Sequence, residues 1–272
     1  MVSPEPDQPD PIWQRLRSQG RLGERRVRYL ETTESTNDLA LALAESGADC
    51  TLVVAESQSR GRGRLRRSWH SPAGAGLYLS FIYRPRLEPE DLAKLTLTAG
   101  LALALAVAET TGLAPGLKWP NDLLLAGKKC GGVLCECRLP ASGSPAQLPV
   151  VVVGIGLNVN TDAARIPPEL RERATSLLLA TGRPWERGPL LAAILKQLDA
   201  LVVRLEGGEF PAILVQWRQR DALLGRELEW LTPAGEVVRG IALGPDDEGI
   251  LRIRDRRGRV HPVLSGDLAL AR

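Results

Sequence analysis

The segment L-T-A-G-L-A-L-A-L-A-V-A, at residues 97–108, is the longest apolar run of the chain, and Lys94 and Glu109 bracket it. The run is shorter than the roughly 20 apolar residues that a helix needs to cross a bilayer. It therefore predicts a helix in the core of a globular protein, which we place at residues 87–111 with its alanine and leucine side chains buried.

The first residues, M-V-S-P-E-P-D-Q-P-D-P, are acidic and rich in proline. They lack the basic and then apolar pattern of a signal peptide. Because no targeting segment is visible, we expect a cytoplasmic protein with no membrane partner.

Alternating apolar segments surround the predicted core helix, and they favour an α+β fold. The predicted strands are residues 27–33, 51–56, 76–84, 118–126, 129–138 and 150–160. The other predicted helices are residues 37–46, 189–205 and 211–221. A turn is expected at Gly127 and a hairpin loop at residues 139–149.

The sequence pattern at each end of the chain differs from that of the middle. Residues 1–25 are predicted to form a loosely attached extension with a short helix at residues 12–18. After Leu224 come short strands separated by P-A-G, D-D-E-G and R-R-G turns, a spacing typical of a small β barrel. We therefore divide the 272 residues into an extension (1–25), a large domain (26–223) and a small domain (224–272).

Positive charge is concentrated in one place. The net charge is only +3, but residues 57–72, S-Q-S-R-G-R-G-R-L-R-R-S-W-H-S-P, hold five arginines, two glycines and no acid. We call this segment the arginine loop. Its like charges repel, so we expect an anion to complete it: a nucleic acid, a protein, or a small ligand bearing phosphate.

Three further motifs combine polar residues with glycine. They are E-S-T-N-D at residues 34–38, K-W-P-N-D at 118–122 followed by G-K-K-C-G-G at 127–132, and G-I-G-L-N-V-N at 154–160. Each motif alone has a plain explanation, because helix caps, Asn-Asp turns and close backbone contacts use the same residues. The order of all four motifs is far more specific.

In that order, the motifs resemble those of the biotin protein ligase family, and the likeness extends from about residue 27 to the end. The resemblance implies a class II synthetase-like catalytic domain, with a mixed or antiparallel sheet and flanking helices, followed by an SH3-like barrel. It implies ATP-dependent attachment of biotin to a carrier lysine through biotinyl-5′-adenylate. Fewer than 30 residues precede the first predicted strand, too few for a helix-turn-helix domain, so the chain resembles the monofunctional class.

The resemblance also implies roles for individual residues. Lys129 and Arg64 are the expected catalytic residues, with Lys129 bridging the biotin carboxylate and the α-phosphate. The expected biotin contacts are Ser35, Thr36, Asn37, Gln58, Gly61, Arg62, Gly63, Arg64, Lys129, Gly132 and Gly156. The expected ATP and adenylate contacts are Arg64, Arg67, Trp69, Asn121, Asp122, Lys129 and Asn158. Mg²⁺ is expected to arrive with ATP, and Asp122 is its candidate ligand; no metal site is certain.

Chemical reasoning supports these assignments. Two anions must meet, so fixed cations are needed, and a lid must keep water from the reactive anhydride. We expect the arginine loop to be that lid, mobile without ligand and ordered with adenylate. Adjacent side chains of a strand point oppositely, so only one of Lys128 and Lys129 should face the site. Gly132, Gly154 and Gly156 are expected to make room for ligand.

The four cysteines, Cys50, Cys130, Cys135 and Cys137, are expected to be reduced structural thiols. The spacing of the last three, without a nearby histidine, is not a common zinc-ligand pattern.

Two other functions stay open at this point. A lipoate-type ligase shares the catalytic fold, although G-R-G-R-L-R-R-S-W favours biotin. An Arg-Gly nucleic-acid-binding protein is the remote alternative, and a C-terminal module with equal numbers of arginines and acids argues against it. The expected partners are a biotin carboxyl carrier domain of a biotin-dependent carboxylase and a second copy of the chain, with no nucleic acid.

Overall fold

The structure is a computed structural model that describes residues 25–138, 148–231, 237–263 and 268–270. The helix predicted at residues 12–18 and most of the loop predicted at 139–149 lie outside these residues.

A seven-stranded sheet forms the centre of the large domain, in the order β1-β2-β3-β7-β6-β5-β4. β1 and β2 are parallel, and every other neighbouring pair is antiparallel, so the predicted mixed α+β sheet is confirmed. The strands are β1 (Val27–Thr33), β2 (Leu52–Gln58), β3 (Gly76–Tyr83), β4 (Gly116–Lys118), β5 (Asp122–Leu125), β6 (Lys128–Arg138) and β7 (Val150–Asn158).

Five helices accompany the sheet in the described part of the chain. They are α1 (Thr36–Glu45), α2 (Lys94–Thr111), α3 (Leu177–Thr181), α4 (Arg187–Glu206) and α5 (Phe210–Arg218). The short helix α3 was not predicted. The predicted core helix began too early, because Pro89–Ala93 forms a separate 3₁₀ turn before α2.

Helix α2 is the core helix that the apolar run predicts. Its Leu101 and Leu103 side chains are fully buried, and it packs against α4, α5 and strands β4, β5 and β6. By length and composition alone, the stretch Glu90–Thr111 meets the criterion for a membrane span. In this fold, most of the stretch is buried inside the protein and forms the hydrophobic centre.

The prediction of a single strand at residues 118–126 is wrong. The chain instead forms a hairpin, in which Trp119, Pro120 and Asn121 separate β4 from β5. Proline has no N–H for a strand ladder, so a central strand cannot continue through Pro120. The middle of the K-W-P-N-D motif therefore forms the turn between β4 and β5.

The C-terminal segments form the expected small β domain, a five-stranded antiparallel sheet in the order β11-β10-β9-β8-β12. Its strands are β8 (Glu227–Leu231), β9 (Val237–Pro245), β10 (Leu251–Asp255), β11 (Val260–Val263) and β12 (Leu268–Leu270). Buried residues of this sheet, such as Leu228 and Ile253, belong to the same hydrophobic cluster as α2. The two sheets therefore share one core.

A buried hydrogen bond joins the K-W-P-N-D turn to the C-terminal sheet. The indole N–H of Trp119 donates to the carbonyl oxygen of Gly249 at 2.9 Å. We predict that Trp119→Phe lowers the free energy of unfolding by about 1–3 kcal/mol, because it removes the donor and keeps most of the ring packing. Urea unfolding followed by circular dichroism measures this change, and a stability equal to that of the wild type would contradict it.

Candidate active site

Residues from all four motifs meet in one cavity of about 1020 Å³. The cavity lies between the arginine loop, the start of α1, the β4–β5 turn and strands β6 and β7. Every residue predicted to bind biotin or nucleotide lines it except Gly61, which is buried within the arginine loop. The lining residues are Ser35, Thr36, Asn37, Gln58, Arg62, Gly63, Arg64, Arg67, Trp69, Asn121, Asp122, Lys129, Gly132, Gly156 and Asn158.

Lys129 is one of the cations that line this cavity. Its Nζ lies 2.5 Å from Oδ1 of Asp122 and 5.3 Å from the centre of the Trp69 ring. The neighbouring Lys128 points the other way and donates to the carbonyl oxygen of Arg171. The opposite orientation of the two lysines, expected from strand geometry, is confirmed.

The backbone of Lys129 is held on both sides of the residue. Its N–H donates to Arg173 O at 2.7 Å, and its carbonyl accepts from Thr175 N at 2.8 Å. Asn158 supports the same segment, because its Nδ2 donates to Thr175 O at 3.0 Å. Asn121 connects the β4–β5 turn to β6 through a hydrogen bond from its Nδ2 to Val133 O at 2.9 Å. Lys129 is therefore presented from a fixed strand, as electrostatic catalysis requires.

The start of α1 is tied to the arginine loop. Ser35 caps the helix by accepting from Asp38 N. Both the backbone N–H and the hydroxyl of Thr36 donate to Oε1 of Gln58, at 2.9 and 3.1 Å. The amide of Gln58 donates in turn to the hydroxyl of Ser71 at 2.8 Å. This polar chain fixes one wall of the cavity.

Asn37 is buried, and its amide has partners within the protein. Its Nδ2 donates to Leu134 O at 3.2 Å and to Oε2 of Glu136 at 2.9 Å, and its Oδ1 accepts from Ser80 at 2.6 Å. Both N–H groups of the amide are thus engaged within the protein, whereas its oxygen has a second lone pair for another donor.

Three glycines leave room for side chains of the site itself. A Cβ added to Gly154 would lie 2.1 Å from Oδ1 of Asn37, and one added to Gly156 would lie 2.5 Å from the Trp69 ring. A Cβ on Gly132 would lie 3.3 Å from Cε of Lys129. The sequence pattern suggested room for ligand; in the structure, these glycines admit the residues that surround the cavity. A side chain at position 61 is excluded in the same way, since a Cβ added to Gly61 would lie 2.4 Å from Trp69 O.

The arginine loop folds back on itself as a small hairpin. Gly63 N donates to Arg67 O at 2.7 Å, and Trp69 N donates to Gly61 O at 2.8 Å. At its tip, Leu65 and Arg66 have φ angles of 55° and 59°, a left-handed conformation that costs about 1–3 kcal/mol per residue outside glycine. Strain of this kind is concentrated at ligand clamps and switch regions.

The donors of the site fit magnesium only as an ion carried by a nucleotide. Asp122 is the candidate carboxylate, and its Oδ1 already pairs with Lys129. In the described ranges, no three His, Cys, Asp or Glu side chains come together as a metal cluster. Mg²⁺ retains several waters and is commonly held by one or two carboxylates plus phosphates, which this site can supply.

Sequence reasoning missed two residues that organise the cavity. Glu136 pairs with Asn37 and with Arg62, and Ser80 donates to Thr36 and Asn37 from a fully buried position. A signal existed for each: Glu136 is an acid in the otherwise apolar V-L-C-E-C, and Ser80 is a serine flanked by Leu79 and Phe81 in a largely apolar strand. Both were overlooked because their partners are distant in sequence.

Comparison with known proteins agrees with this geometry. Residues 29–158 match the model of the biotin/lipoate A/B protein ligase family. A biotin–[acetyl-CoA-carboxylase] ligase of Mycobacterium tuberculosis is 37% identical over 253 residues, which cover 90% of this chain and 89% of that protein. The bifunctional ligase/repressor BirA of Bacillus spizizenii is 34% identical over 243 residues, covering 89% of this chain and 73% of that protein.

Among solved structures, the biotin protein ligase from Aquifex aeolicus in complex with biotin and ATP superposes with a TM-score of 0.76 at 32% identity. The match covers 91% of this chain and 99% of the Aquifex chain. With these identities over most of its length, the chain belongs to the biotin/lipoate A/B protein ligase family and, within it, to the biotin protein ligases.

Proposed function

We propose that this protein is an ATP-dependent biotin protein ligase. It activates biotin to biotinyl-5′-AMP with release of pyrophosphate, and it then transfers biotin to a lysine of a biotin carboxyl carrier domain. The observation that carries the proposal is the position of Lys129, a fixed cation in a cavity lined by all four motifs. Such a cavity has room for an acid and a nucleotide together.

In the first step, a carboxylate oxygen of biotin attacks the α-phosphorus of ATP. A new P–O bond forms, and the bond from the α-phosphorus to the oxygen that bridges to the β-phosphorus breaks, so pyrophosphate leaves. Lys129 lies between the two anions, where its ammonium group offsets their repulsion and stabilises the charge that develops on the phosphate. Mg²⁺ supplies further neutralisation of the triphosphate when it is bound.

Other residues of the cavity orient the two substrates. The arginine loop contributes the guanidinium groups of Arg64 and Arg67, which fit phosphate oxygens, and the ring of Trp69 offers an aromatic face for adenine. One wall of the cavity supplies short polar groups suited to the uncharged ureido ring of biotin, from Ser35, Thr36 and Gln58. The family resemblance motivates this division of roles, and the shared cavity supports it.

In the second step, the neutral amine of the carrier lysine attacks the carbonyl carbon of the adenylate. A C–N bond forms, the C–O bond to AMP breaks, and the amine loses a proton. Water would compete with the amine, so the closed arginine loop is useful until the carrier arrives.

The partner of the second step is a biotin carboxyl carrier domain of a biotin-dependent carboxylase, as the name of the Mycobacterium relative suggests. A homodimer is also proposed, through a sheet edge. Within the described residues, strand β1 pairs only with β2, whereas the other edge strand, β4, is covered by backbone hydrogen bonds of Leu117 with Arg220 and Ala222. Light scattering at micromolar concentration measures the oligomeric state, and a monomer in the presence of biotinyl-5′-AMP would contradict the dimer.

The lipoate-type alternative makes a distinct prediction for substrate choice. Isotope exchange between pyrophosphate and ATP, measured with biotin and with lipoic acid in separate reactions, reports the first step alone. Biotin should support exchange, and lipoic acid should support little or none. Exchange that depends on lipoic acid and not on biotin would replace the proposal with a lipoate ligase.

We further predict that ligand protects the arginine loop from trypsin. Closure over an adenylate should hold Arg60, Arg62, Arg64, Arg66 and Arg67 against the protein, so cleavage there should slow at least about tenfold with biotin and Mg-ATP. Mass spectrometry of the fragments locates the cuts. Equal cleavage rates with and without the substrates would contradict the loop's role as a lid.

A further inference from the structure

The side chain of Arg62 faces the protein, unlike a residue that only contacts ligand. Its Nη2 lies 2.7 Å from Oδ1 of Asp38, in the first turn of α1, and 2.5 Å from Oε2 of Glu136, on strand β6. One guanidinium group therefore joins the arginine loop to two elements that are distant from it in sequence.

Glu136 is the centre of this arrangement. The same oxygen that pairs with Arg62 accepts the hydrogen bond from Nδ2 of Asn37 at 2.9 Å. Asn37 in turn fills the space that Gly154 leaves open. The carboxylate of Glu136 thus connects the arginine loop, through Arg62, to the start of α1, through Asn37. Asn37 also contacts strand β7 at Gly154.

From this geometry we propose that Arg62 and Glu136 form a latch that holds the arginine loop closed over the cavity. This inference rests on the proposed function, because the latch acts on the retention of biotinyl-5′-adenylate. Arg62 is a positioning residue: it lines the cavity together with Arg64 and Arg67, and its guanidinium holds the loop through Asp38 and Glu136. Within the arginine loop, Arg62 is therefore assigned to holding the lid, and Arg64 and Arg67 are assigned to contacting the ligand.

The partial solvent exposure of Arg62 and Glu136 makes their ion pair weak enough for the latch to open. The side chain of Arg62 is 37% exposed and that of Glu136 is 23% exposed, so solvent and salt screen their attraction. A partly exposed ion pair biases a local equilibrium by a modest factor, about two- to fivefold. That bias shifts the loop toward the closed state and still permits product release.

Arg60 provides a matched control in the same loop. It pairs with Glu34 at 3.4 Å, and the two side chains are 74% and 65% exposed. Arg60→Ala removes the same charge from the same segment without breaking the link to β6. Neither Arg60→Ala nor Arg62→Ala removes a chymotrypsin site, since Leu65 and Trp69 remain; Leu65 is 56% exposed at the tip.

The test is a double-mutant cycle with two readouts on the full chain: the release rate of synthetic biotinyl-5′-adenylate, and chymotrypsin cleavage of the ligand-free loop. Arg62→Ala and Glu136→Gln should each raise both rates about two- to fivefold, and the double variant should be no faster than either single variant. High salt should raise the rates of the wild type toward those of Arg62→Ala, and Arg60→Ala should match the wild type.

Additive effects in the double variant, an equal effect of Arg60→Ala, or unchanged rates in Arg62→Ala would overturn the latch. Failure of the proposed function is distinguishable from this result. A wild-type chain that does not bind biotinyl-5′-adenylate refutes the ligase, whereas loop cleavage in the ligand-free chain still reports on the latch.

Discussion

Replacing Lys129 with alanine should lower the rate of biotinyl-5′-AMP formation by about 100- to 1000-fold. The ammonium group lies on a strand whose backbone is fixed by Arg173 and Thr175, so it is already in place when the two anions meet. Alanine leaves biotin carboxylate and α-phosphate to repel each other without a fixed counter-charge. Single-turnover formation of radiolabelled adenylate measures this step directly.

Lys128→Ala is the matched control for this experiment. It removes the same charge one position earlier, but the Lys128 ammonium group contacts Arg171 O on the opposite side of the strand. Its rate should stay within about twofold of the wild type. If the two alanine variants lost activity equally, the general positive charge of the turn would be responsible, and the assigned role of Lys129 would be wrong.

The second large effect is expected from Gly154→Ala. The new Cβ would lie 2.1 Å from Oδ1 of Asn37, a distance that neither buried group can accommodate without moving. Overpacking together with loss of the hydrogen bond from Ser80 should lower the free energy of unfolding by about 2–4 kcal/mol. Displacement of Asn37 also shifts the start of α1, so biotin should bind at least about tenfold more weakly.

Urea unfolding and calorimetric titration with biotin measure these two effects. Gly100→Ala is the control, because Gly100 is buried in α2 and its added Cβ would meet neighbours only at 3.9 Å. Alanine also has the higher helix propensity, so this variant should be as stable as the wild type or more so. A Gly154→Ala protein with wild-type stability and biotin affinity would show that Asn37 does not need its present position.

The sequence predicts the framework of the site well, because the framework depends on local patterns. Alternation along β6 places Lys129 and Lys128 on opposite faces, and the hydroxyl of Ser35 caps α1 as its position before the helix indicates. The order of the four motifs identified the family. These features need only the chain neighbours of each residue.

The remaining features depend on tertiary contacts that local patterns do not contain. Glu136 and Asn37 are separated by 99 positions, and Ser80 and Asn37 by 43. No periodicity relates such pairs, so sequence reasoning gave Glu136 and Ser80 no role. The prediction of a strand through Pro120 failed for a different reason. It gave the apolar content of residues 118–126 more weight than the missing N–H of proline.

The central claim, that this chain transfers biotin to a carrier lysine, is tested most directly by intact-mass spectrometry of a biotin carboxyl carrier domain incubated with the protein, biotin and Mg-ATP. We predict that the carrier gains the mass of one biotinyl group at a single lysine, only with ATP present, and that Lys129→Ala leaves it unmodified on the same time scale. A carrier that stays unmodified by the wild-type chain, while a ligase of known activity modifies it, would contradict the account.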